Sequence, residues 1–230
     1  MSTLSAIAPL VSFDEVKTEL YSMGLSEEVF ENAFKSALYL YKRVSPLHPL
    51  STAGSRFWEE VVAVLRAGLL TNEFTKWGSK HEDGLSLTCS LEHRISIVVT
   101  SGNKYAGLSD ARVKTKNSKG PSTLAYVSQN QDLFYTAEGV EGPQKFAHRA
   151  DPNETWVLLY HIDKAQRVVR SELSLPKQIH HTEGRLTIDE WEKRIILPEI
   201  SYDSTLDDTT FSNGHQGFTP AIDFSGLTNN

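Results

Sequence analysis

A chain of 230 residues, 39% hydrophobic and 23% charged, is long enough to bury a full core, and its ordinary composition excludes fibrous, low-complexity and wholly unfolded proteins. Its 29 acidic and 23 basic side chains leave a formal charge of −6, which argues against a generally basic, nucleic-acid-coating surface but permits a local cationic patch. The single cysteine, Cys89, closes no intramolecular disulfide, no run nears the roughly 20 apolar residues of a membrane span, and the first residues carry no basic, apolar leader pattern. A cytoplasmic protein without membrane attachment is the expectation.

The first predicted helix runs from Ser12 to Met23, with Ser12 and Glu15 at capping-box spacing, Phe13, Val16 and Leu20 at helical intervals, and Gly24 as its stop. A second follows from the N-cap Ser26, with Glu27 and Glu28 in its first turn and Lys42 and Arg43 in its last, where the helix dipole favours each sign. Its apolar stripe includes Val29, Phe30, Ala33, Phe34, Ala37 and Leu38. Pro46 and Pro49 make 45–54 a connector. Ser55 then opens a third helix carrying Phe57, Trp58, Val61, Val62, Leu65 and Leu69.

From Leu85 the period changes to two: Leu85, Leu87, Cys89 and Leu91, then Ile95, Ile97 and Val99, with Glu92 and His93 at the turn of a hairpin. Residues 101–120 read as a Gly, Asn and Ser-rich loop, and 122–134 as a helix with Leu124, Val127 and Phe134 inward. A second hairpin joins 155–162 to 167–175, and 193–200 is the fifth strand. The expected fold is α+β: about three N-terminal helices on an antiparallel sheet of about five strands. One domain spans 1–202, helical over about 12–70 and sheet over about 85–200, and an acidic, partly disordered tail spans 203–230.

Three features compete to carry function. The loop KYAGLSDARVKTKNSKG holds Lys104, Arg112, Lys114, Lys116 and Lys119 against one acid, Asp110, as a phosphate-contacting segment would; a solvated surface loop is the bland reading of the same lysines. The piece SKGPST lacks the glycine spacing and Gly-Lys-Ser/Thr order of a triphosphate cradle. In the strand RVVRSELSLP, Arg170, Glu172 and Ser174 share one face. Many metal-dependent nucleases keep a mid-strand carboxylate with a glutamate on a leading helix, here Glu59 or Glu60. Ser174 stands where such sites carry a lysine, so a water-facing Arg170 and Glu172 is the structural alternative. The tail holds four aspartates, no Lys or Arg, and Phe211, Phe218 and Phe224; spaced aromatics with acids suit docking to a protein partner, or packing on the tail's own domain.

None of the eight histidines pairs with another at the i, i+4 spacing of a helical metal site, and no glycine-flanked nucleophile is visible. No metal or cofactor is expected. The expected function is a non-enzymatic intracellular binding or regulatory module, engaging a protein partner through the tail or a phosphate-bearing ligand such as nucleic acid through the loop. The rival is a nucleic-acid-processing, metal-dependent hydrolase with a degenerate site around Glu172.

Overall fold

Three helices precede the first strand along the chain, as the switch of hydrophobic period predicts. The computed structural model describes residues 9–12, 14–71, 76–82, 84–120, 122–123, 125–127, 153–177 and 187–202. The phenylalanines at 211, 218 and 224, and most of the predicted helix 122–134, lie outside them; residues 122, 123 and 125–127 are helical.

The helices α1 (Val16–Ser22), α2 (Glu27–Lys42) and α3 (Thr52–Leu70) bury the faces that their spacing marks. In α2 the Ser26 hydroxyl accepts the Val29 amide at 3.4 Å, as an N-cap should. Two starts differ from expectation. The Ser12 hydroxyl donates to the Glu15 carboxylate at 2.7 Å, leaving the Ser12 carbonyl to accept the Glu15 and Val16 amides at 2.9 and 3.1 Å. α3 begins about a turn before Ser55, because the Pro49 carbonyl accepts the Thr52 amide at 2.9 Å and the Ser51 carbonyl accepts that of Ser55 at 3.0 Å. Trp58, expected in the apolar stripe, is 36% exposed.

The sheet has six strands in the order β1-β2-β3-β4-β5-β6: β1 (Trp77–Glu82), β2 (Leu85–Ser90), β3 (Ile95–Ser101), β4 (Glu154–Asp163), β5 (Val168–Pro176) and β6 (Trp191–Ser201). Both predicted hairpins form, from Ser90↔Ile95 to Leu87↔Val98 and from Asp163↔Val168 to Val157↔Ser174. The second is closed by Asp163, whose carboxylate accepts the Ala165 and Gln166 amides at 3.0 Å each. Two features correct the expected antiparallel sheet of five. β1, WGSKHE, is an edge strand with one large apolar residue and shows no period-two signal, yet it pairs along all of β2. β3 and β4 run parallel, from Ile95↔Glu154 to Ser101↔Tyr160, a pairing of segments some fifty residues apart that local periodicity does not report.

Each face of the sheet is covered. On one, Ile97, Val99, Leu158, Tyr160, Leu173 and Ile195 meet the helices; Phe57 lies 6.2 Å from Phe34 and 4.9 Å from Tyr160, centroid to centroid. Burial there pushes the Tyr160 phenol up to about 12. On the other, Leu87, Val98, Val157 and Leu159 are covered by Ala106, Val113, Tyr126, Val127, Ile188 and Trp191. Residues 102–115, within the predicted 101–120 loop, carry no helix or named strand, and they supply part of this second covering layer. Among the described residues no helix is long and apolar enough to cross a membrane.

Phe57 is fully buried in the aromatic cluster, so Phe57→Ala should cost about 3–5 kcal/mol in urea unfolding. Leu47→Ser, at a position 95% exposed, should stay within about 0.5 kcal/mol.

Candidate functional site

The polar face of β5 is buried, not turned to water: Arg170, Glu172 and Ser174 are 6%, 0% and 0% exposed. Glu172 pairs across the strands with Leu159 of the second core, and the segment 104–109 lies over it. One Glu172 oxygen accepts from Arg194 Nη2 at 2.5 Å and the Gly107 amide at 2.9 Å; the other accepts from Ser174 Oγ at 2.8 Å and Arg194 Nε at 3.1 Å. Four donors fill the roughly four lone-pair positions of a carboxylate. Of its three remaining protons, Arg194 gives one to the Leu108 carbonyl at 2.8 Å and one to the Ser109 carbonyl at 3.4 Å. Arg170 bonds Asp163 at 2.9 Å, Gln166 at 3.1 Å and the Lys104 carbonyl at 3.1 Å. The close approach needs glycine: Gly107 sits at φ +76, and a Cβ there would meet Arg170 Cβ at 2.8 Å and the Ser171 nitrogen at 2.9 Å.

Glu59 is exposed on α3, and Glu60 accepts the Ser36 hydroxyl of α2 at 2.5 Å. Both belong to the helix that packs on the Ile97 and Val99 face, opposite the face of Glu172, so the three glutamates are not brought together. Among the described residues no group of three His, Cys, Asp or Glu is placed to hold a metal. The partner of Glu172, Arg194, was not singled out in the sequence. Its signal is a cation that directly abuts the apolar run IILP, next to Lys193.

The basic segment is built, not floppy. The Lys114 carbonyl accepts the Asn103 amide, Lys116 donates its amide to Ser101, and Thr115 donates to Ile188, each at 2.9 Å; Trp191 Nε1 donates to the Val113 carbonyl at 2.8 Å. Val113 and Thr115 point inward while Arg112, Lys114 and Lys116 alternate outward and are exposed, about 6.6 Å apart at an extended rise of about 3.3 Å per residue. Lys104 is also exposed, its ammonium 5.0 Å from the Tyr105 ring centre. Among the described residues none of these four cations forms an ion pair. Nearby on β4, burial first, and then Arg170 and Lys116, hold the His161 imidazole below its ordinary value against the opposing pull of Asp163.

Lys119 stands apart from that row. It is half-buried, donates to the Thr100 hydroxyl, and lines a cavity of about 80 Å³. Burial pushes its ammonium below the usual lysine range. Comparison with models of protein families, with curated proteins and with solved structures finds no match.

Glu172→Ala leaves Arg194 buried without its counter-charge and should cost about 3–5 kcal/mol in denaturant unfolding, whereas the apolar pair Glu172→Leu with Arg194→Met should recover most of it. The His161 pKa is depressed on folding, so the unfolded chain binds its proton more readily and stability should fall as pH drops below 6.5. His161→Gln should flatten that part of the stability profile. Asp163 acts in a lower window: backbone amides, that of Gln166 foremost, hold its carboxyl below 3.8, and its contribution disappears as pH falls through the folded value.

Proposed function

We propose that this chain is a non-enzymatic binding module for a strand of regularly spaced phosphates, a single-stranded nucleic acid, received on the 104–116 segment. The observation that carries the reading is the alternation of Arg112, Lys114 and Lys116: exposed, outside any ion pair among the described residues, and mounted on backbone bonded in register to Ser101, Asn103 and Ile188. A repeating row of cations matches a repeating row of anions better than it matches one small ligand. Because the backbone beneath is already ordered, binding immobilises side chains and not the segment itself. Tyr105, 38% exposed beside Lys104, offers a ring face on which a base can stack.

Such contacts position a phosphate backbone without reading its bases, so binding is expected to be sequence-tolerant and strongly salt-dependent. The non-enzymatic reading is supported by the saturation of Glu172 and by its separation from Glu59 and Glu60.

Fluorescence anisotropy with a labelled oligothymidylate, read across a salt series, tests this. Three phosphate contacts predict a log–log salt slope of about −2, at about 0.7 per contact for a single strand. The variant Arg112→Glu/Lys114→Glu/Lys116→Glu should lose affinity by more than about tenfold and flatten that slope. Unchanged affinity and slope in the triple variant, or no binding by the native chain at low salt, would overturn the reading.

A further inference from the structure

Adjacent strands β2 and β3 are paired over only part of their length. Their ladder ends at Leu87↔Val98, yet β2 continues to Leu85 against Glu82 of β1, and β3 continues to Ser101 against Tyr160 of β4. Beyond Leu87 and Val98 each strand follows its other neighbour, and the sheet opens into a wedge. On the helix side the Val99 carbonyl accepts the Trp58 indole N–H at 2.9 Å, which helps hold β3 in place beside the gap.

The cavity in this wedge, about 80 Å³, has two kinds of wall. One is polar, with Lys119 and the hydroxyl residues Thr100 and Thr123; the other is aliphatic, with Val98, Val157 and Ile188. An ammonium has three protons to donate, and among the described residues the Thr100 hydroxyl is the one partner of Lys119. A charge held half out of water, whose partner among the described residues is a neutral hydroxyl, is one that an anion can stabilise. The aliphatic wall suits hydrocarbon and gives nothing to a fully hydrated inorganic anion.

We propose that the wedge between β2 and β3 binds a small organic carboxylate with a short aliphatic body, its carboxylate on Lys119 and Thr100 and its hydrocarbon on Val98, Val157 and Ile188. The site is separate from the exposed cation row and uses none of its side chains. A carboxylate supplies a counter-charge to an ammonium that burial disfavours, and its size matches a cavity too small for a nucleotide.

The probe is isovalerate, titrated into protein labelled with ¹³C at the valine methyls and at lysine Cε and followed by NMR. The Val98 and Val157 methyls and the Lys119 Cε signal should shift together and saturably, and the Lys119 titration should move to higher pH. Isovaleramide, the neutral isostere, should bind about tenfold more weakly, as should the Lys119→Met variant, given the strength of charged hydrogen bonds. Thr100→Val keeps the ammonium and removes its hydroxyl partner, so it should weaken binding several-fold; it provides a second reading should Lys119→Met fail to fold. The proposal is overturned if isovalerate moves only exposed lysines, if inorganic phosphate gives the same saturable response as isovalerate, or if the variants that fold bind it as the native chain does.

Discussion

The ion pair of Glu172 and Arg194 is the constraint on which the second face of the sheet depends. Removing two charges from water costs several kcal/mol each, and their attraction repays this only when the remaining lone pairs and protons are also satisfied. Here the satisfaction comes from outside the sheet: the Gly107 amide on the carboxylate, and the Leu108 and Ser109 carbonyls on the guanidinium. The segment 107–109 is therefore the means by which the pair tolerates burial, and the pair is what fixes the segment. Arg170 repeats the arrangement one turn of chain earlier, through the Lys104 carbonyl.

From that clamp the rest of the covering layer follows. With 104–109 held down, the chain returns across the ends of β3 and β4 as an extended stretch bonded to Ser101 and Asn103. Extended backbone sends alternate side chains to opposite sides: Val113 and Thr115 fill the second core, and Arg112, Lys114 and Lys116 are left outside. The cations form a row because their apolar and hydroxyl neighbours are anchored inside. Lys119, further along, is directed instead into the gap where β2 and β3 part.

The helices were legible because a helix advertises its buried face in its own spacing. Phe30, Ala33, Phe34 and Ala37 pack where their intervals of three and four put them. The hairpins were legible for the same local reason, alternation on both sides of a short turn. β1 was not, because an edge strand draws its hydrogen bonds from its partner's backbone and needs little apolar content of its own. The parallel pairing of β3 with β4 was not, because it joins segments whose connection carries no periodic signal.

The candidate site divides along the same line. The sequence by itself determined that five cations gather between 104 and 119 and that Arg170, Glu172 and Ser174 share a face. Only the tertiary structure decided which of those charges meet water. Glu172, read as facing solvent or a metal, is buried against Arg194, and Lys119 is withdrawn from the row formed by Arg112, Lys114 and Lys116. The physical reason is that the side a residue points to follows from local backbone geometry, whereas its exposure follows from whatever distant segment packs over that side. For this face the covering segment lies more than sixty residues away along the chain, from Gly107 to Glu172, a separation that periodicity does not report.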